Sequence, residues 1–120
     1  MHMTLEGKRV FVVEDDVLLQ MTLQDMLSDF GCTVSGFAMS LDQALQIARD
    51  ISVDLAILDV NLNGKLVTPA AELLAQRGVP ILFSTGYRSD IVPSLVGRPL
   101  LSKPYTEQQL KAAMLRALAA

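Results

Sequence analysis

An α/β fold with a doubly wound, five-stranded parallel sheet is what this sequence predicts, and three observations carry the prediction. Short apolar runs alternate with stretches of helical period along the whole chain. The runs Arg9–Glu14 (RVFVVE) and Asp54–Val60 (DLAILDV) lack polar alternation inside, the mark of strands buried on both faces. The 120 residues are 51% apolar, enough for one domain with a real core.

Taken in order, Arg9–Glu14 reads as the first strand. Helical spacing follows over Asp16–Phe30, through Val17, Leu18, Met21, Leu23, Met26, Leu27 and Phe30. Asp15 or Asp16 caps its start, and Gly31 stands where a left-handed C-cap belongs. Cys32–Ala38 is a second strand. Ser40 opens a helix to about Asp50, with Gln43 completing a capping box. Asp54–Val60 is the third strand, followed by a loop over Asn61–Val67. Thr68 is expected to cap the next helix, with Pro69 at its first position and Gly78 after its end. Pro80–Thr85 (PILFST) is the fourth strand. The stretch Gly86–Arg98 holds Pro93, two glycines and little periodicity, so a full helix is not expected there. Pro99–Lys103 is a short fifth strand. Thr106 and Gln109 form another capping box, and the last helix runs through Leu110, Met114, Leu115 and Leu118.

Composition narrows the function. The formal net charge is −3, against the clustered Lys and Arg of a nucleic-acid footprint. No apolar run approaches the roughly 20 residues of a membrane-spanning helix, and no signal peptide is legible. The single cysteine, Cys32, has no internal disulfide partner; it reads as a small buried residue in a reducing, cytoplasmic setting. His2-Met3 after Met1 resembles a cloning scar, so residues 1–7 read as an extension to one domain over 1–120.

In an open parallel sheet the site lies beyond the carboxyl ends of the strands. The first strand ends in Glu14-Asp15-Asp16, the third at Asp59, the fourth at Ser84-Thr85 and the fifth at Lys103-Pro104. Each has a plain structural reading: helix capping, a turn, a strand end, a surface turn. Their joint placement at one edge makes a chemical site. Glu14, Asp15 and Asp59 supply the carboxylates that Mg²⁺ favours. Asp59 is a plausible nucleophile toward phosphorus, with Lys103 offsetting charge and Thr85 hydrogen-bonding a phosphoryl oxygen.

The order V-V-E-D-D, L-D-V-N, S-T-G and K-P resembles the receiver domains of bacterial two-component systems, over essentially the whole chain. That resemblance implies a flavodoxin-like sheet of strand order 2-1-3-4-5. It implies Asp59 as phosphoacceptor, Glu14 and Asp15 as the Mg²⁺-holding acids, and Asn61 as a further ligand through its backbone carbonyl. Thr85 becomes the switch hydroxyl and Lys103 the phosphate-binding lysine, before a cis Lys103–Pro104 bond. The segment F-S-T-G-Y, with L-N-G-K-L-V-T-P and R-P-L-L-S-K-P-Y, is similar to the FAT GUY group of alphaproteobacterial receivers. Thr85 and Lys103 are 103 − 85 = 18 positions apart, roughly one helical turn short of ordinary receivers, which fits a shortened or disordered fourth helix. Leu100 stands where the family usually has an aromatic switch residue; Tyr87 and Tyr105 are the nearby aromatics.

The implied function is a phosphoacceptor and signalling switch rather than an enzyme, beyond assisting its own phosphotransfer and dephosphorylation. Implied partners are a sensor histidine kinase of HWE type and a downstream protein or phosphotransferase, with neither nucleic acid nor membrane. A receiver excised from a hybrid kinase or larger regulator is an alternative. A flavodoxin-like cofactor module is a third, opposed by three acids where such folds cradle phosphate.

Overall fold

In the computed structural model, which describes residues 4–86 and 98–119, strand β3 (Leu55–Asp59) runs through the centre with every residue buried. It pairs in parallel with β1 (Arg9–Val13) on one side and β6 (Ile81–Thr85) on the other. The outer strands are β2 (Thr33–Ala38) and β7 (Leu100–Ser102), giving the order β2-β1-β3-β6-β7. With β6 and β7 as the fourth and fifth strands of this sheet, the order is the expected 2-1-3-4-5.

Side chains alternate across a strand, so each strand feeds two cores. Phe11, Val13, Ala56, Leu58 and Phe83 pack with α2 (Leu41–Ala48) and α3 (Thr68–Gln76) on one face. Val10, Val12, Leu55, Ile57 and Leu82 pack with α1 (Val17–Asp29) and α4 (Glu107–Ala119) on the other. Unbroken apolar runs are what such two-sided burial demands.

The caps are largely those that the sequence predicts. Asp16 Oδ1 accepts from the Leu18 and Leu19 amides at the start of α1. Gly31 takes φ +80° past its end, a region costly for a residue with a Cβ. Thr106 with Gln109 forms a reciprocal capping box, and Ser40 Oγ accepts from Gln43 N while the Gln43 side chain accepts from Met39 N, one residue before the cap.

Three readings are corrected. Thr68 is not a cap: Val67 holds that position without a side-chain hydrogen bond, and Pro69 lies in the first turn. Val67 is buried and its amide donates to Val60 O, so the chain turns helical one residue earlier. Asn61–Val67 is not a plain loop; it folds back as the antiparallel strands β4 (Asn61–Leu62) and β5 (Lys65–Leu66). Third, Val17, Leu18 and Met21 of α1 face solvent, Leu18 at 72% exposure. The inward stripe is instead Gln20, Leu23 and Leu27, spaced i, i+3, i+7. Gln20 Nε2 is buried there without a hydrogen-bond partner among the described residues.

The doubtful helix over Gly86–Arg98, and Tyr87 within it, fall almost wholly outside the described residues, as do His2 and Met3. Cys32 is half-buried, its thiol donating to Leu5 O and pushed up in pKa by burial. No helix among the described residues is long and apolar enough to cross a membrane.

Candidate functional site

The residues at the strand tips meet in one open cleft of about 430 Å³. Glu14 continues β1 by donating its amide to Ala38 O, which turns its buried side chain toward the cleft. Asp59 is the last residue of β3 and Thr85 the last of β6; both are buried at the cleft wall. Lys103 follows β7, its amide bonded to Thr85 O and its peptide to Pro104 cis as expected.

Lys103 ties the acids together. Its Nζ lies 2.6 Å from Glu14 Oε1 and 3.1 Å from Asp59 Oδ2. The other oxygens have backbone donors: Asp16 N on Glu14 Oε2 at 3.1 Å and Asn61 N on Asp59 Oδ1 at 3.2 Å. Asp15 is half-buried, and its Oδ2 accepts from Asn63 N at 2.9 Å. Glu14, Asp15 and Asp59 each bring a carboxylate oxygen within 4.8 Å of the others.

Burial pushes the Glu14 carboxyl up to about 7, against the hydrogen bond from Lys103. Burial alone would lower the Lys103 ammonium; the Glu14 hydrogen bond and the charges of Asp59 and Glu14 outweigh it and hold the pKa above the ordinary lysine value. Burial likewise pushes the Tyr105 phenol up to about 12. Tyr105 packs against the α1/α4 core beside the site.

Three carboxylates against one ammonium carry, when all are ionised, an excess of two negative charges. A hard divalent cation matches that excess and the all-oxygen donor set, so Mg²⁺ fits this cluster. Asn61 lines the same cleft. The structure thus brings Glu14, Asp15, Asp59, Asn61, Thr85 and Lys103 together. Sequence reasoning missed Asp16 as an amide donor to Glu14, and Asn63 and Gly64 as cleft residues. The Asn63-Gly64 dipeptide was the available signal, since it marks a tight hairpin.

A parallel sheet with clustered acids and a lysine at its carboxyl edge defines the class: a flavodoxin-like α/β domain with an acidic site fit for a divalent cation. The model of the response regulator receiver domain matches residues 10–115, and the chain belongs to that family. Its members serve phosphorylation-based two-component signalling. Among curated relatives, the TorCAD operon transcriptional regulatory protein TorR of Escherichia coli is 34% identical over 105 residues, covering 85% of this chain and 44% of TorR. The chain spans only 40–50% of the length of the curated relatives it matches. Among solved structures, SdrG from Sphingomonas melonis is similar at TM-score 0.82 and 39% identity, over 98% of this chain and 100% of that one. The PhyR receiver domain of Erythrobacter litoralis gives 0.81 and 27%, over 95% and 92%. Both come from alphaproteobacteria, in keeping with the FAT GUY resemblance.

Proposed function

We propose that Asp59 accepts a phosphoryl group from a histidine kinase and that the resulting charge switches a protein–protein contact. The observation that carries this reading is the shared ammonium of Lys103 between Glu14 and Asp59, beside the oxygen of Asp15.

An Asp59 carboxylate oxygen attacks phosphorus; the new O–P bond forms as the N–P bond to the donor histidine breaks, and the imidazole leaves with a proton. Lys103 pairs with a phosphoryl oxygen, and the Thr85 hydroxyl hydrogen-bonds another. Glu14, Asp15, Asp59 and the Asn61 carbonyl would hold Mg²⁺, which when bound supplies charge neutralisation at the phosphoryl oxygens. Hydrolysis of the acyl phosphate by water resets the switch. Phosphorylation adds negative charge and acceptor oxygens, drawing Lys103 off Glu14 and rearranging β7 with it.

By resemblance the kinase is of HWE type, and the output is a protein or phosphotransferase, in the cytoplasm. Residues 1–120 then act as one receiver unit. The short span against the curated relatives favours a second reading, a receiver that serves within a larger regulator.

The test adds Mg²⁺ and beryllofluoride, a phosphoryl mimic, to the protein and follows amide NMR shifts. Large changes around Asp59, Thr85 and Lys103 are expected, and none in Asp59→Ala. Unchanged wild-type spectra, or equal changes in Asp59→Ala, refute the reading.

A further inference from the structure

The hairpin of β4 and β5 is wired to the acids at both of its ends. At its root, Asn61 N donates to Asp59 Oδ1 and Val67 N closes onto Val60 O. At its tip, Asn63 N reaches back across 48 residues to Asp15 Oδ2 at 2.9 Å. The tip can do so because Asn63 and Gly64 both take positive φ, +53° and +89°. Positive φ at both central residues of a two-residue loop makes a type I′ turn, which suits the strand twist. The Asn61 side chain locks it by accepting from Gly64 N at 2.7 Å.

Of the three acids, Asp15 is the one held by the hairpin tip, whereas the root holds Asp59. Glu14 and Asp59 have both oxygens engaged, partly by Lys103. Asp15 has one oxygen held by the hairpin tip and carries no salt bridge to Lys103. Asp15 lines the cleft, and it brings one carboxylate oxygen within 4.8 Å of an oxygen of Glu14 and of Asp59. A single oxygen per carboxylate suits the octahedral shell of Mg²⁺, whereas Ca²⁺ takes six to eight ligands and often both oxygens of one carboxylate.

We infer that the Asn63-Gly64 turn is a positioning element for Asp15, which restricts that carboxylate to one available oxygen and so sets the affinity and Mg²⁺ preference of the site. The inference rests on the metal-holding role of Asp15 given under the proposed function. Ion binding and the hairpin fold support each other, since each removes freedom the other must otherwise remove.

The test titrates the 120-residue protein with Mg²⁺ and, separately, Ca²⁺, read by amide NMR without any phosphodonor. Asn63→Gly keeps the turn and is expected to bind as wild type. Asn63→Ala with Gly64→Ala penalises positive φ at both positions and frees Asp15. That double variant is expected to lose about tenfold in Mg²⁺ affinity, the usual scale for a lost supporting contact, and less for Ca²⁺. Mg²⁺ affinity within twofold of wild type, or equal loss for both ions, overturns the inference. Should the double variant not fold, hydrogen exchange in wild type decides: Mg²⁺ must slow exchange at the Asn63 amide, and an unchanged rate overturns it. Absence of Mg²⁺ binding to wild type sinks the proposed function and this inference together. Normal wild-type binding with an insensitive hairpin sinks this inference alone.

Discussion

The ammonium of Lys103 sits 2.6 Å from Glu14 Oε1, joining the chain after β7 to the tip of β1 across the mouth of the cleft. Asp59 shares the same cation at 3.1 Å. Removing it leaves two buried acids without a counter-charge. Lys103→Met is therefore expected to destabilise the protein by about 2–4 kcal/mol at pH 7, somewhat under the range for a fully buried pair. Urea unfolding measures this, and added Mg²⁺ should return part of the loss. An unchanged midpoint would show the bridge to be energetically idle.

Mg²⁺ itself should stabilise the wild-type protein. A ligand at ten times its Kd adds about 1.4 kcal/mol through mass action. Thermal unfolding with and without Mg²⁺ checks this, and Asp15→Asn should lose most of the gain. An equal rise in both proteins would place the ion elsewhere.

Gly36 is held by packing rather than by its backbone. A Cβ there would come within 2.7 Å of Ile51 Cδ1, beside the register shift where Phe11 pairs with Gly36. Ile51 Cδ1 is the end of a side chain that can move, so Gly36→Ala should cost about 1 kcal/mol. Ile51→Val in the same chain should recover part of it. Additive losses in this double-mutant cycle would contradict the contact.

Thr106 starts α4 through a reciprocal pair with Gln109. Thr106→Ala is expected to cost about 0.5–2 kcal/mol. Hydrogen exchange should rise first in the opening turn of α4, close behind Lys103. Exchange rising evenly along the chain would mean that the cap has no local role.

Glu107 carries a pH signature. The Asp29 side chain beside it raises its carboxyl pKa by hydrogen bond and charge, and Lys111 lines the same surface cleft as Asp29. A raised acid contributes stability that is present below its unfolded pKa and lost as pH climbs through the folded one. Glu107→Gln should thus raise Tm slightly at pH 7 and leave it unchanged at pH 4. A gain of equal size at both pH values would rule out the acid pair as its source.

The sequence made the central sheet legible because unbroken apolar runs such as Val10–Val13 leave no other placement for their side chains. The site residues were legible for a related reason: each stands one step past such a run. What escaped had a physical cause. Two-residue strands such as β4 and β5 are too short to show a period, so the hairpin read as a loop. In α1, apolar residues occupy positions on more than one side, and periodicity alone did not reveal that Gln20 turns inward while Leu18 turns out. The Thr68 cap failed because a tertiary hydrogen bond, Val67 N to Val60 O, outranked the local preference.

The two-sided feeding of the cores by β3 has a further consequence. Asp59 is held at the end of a strand whose neighbours Ala56 and Leu58 belong to one core and Leu55 and Ile57 to the other. Inserting one residue early in this strand would invert every later side chain, exchanging the contents of both layers and turning the carboxylate away from the cleft. Foldability and phosphate chemistry are thus written in the same reading frame of alternation, and a slip that spoils one spoils the other.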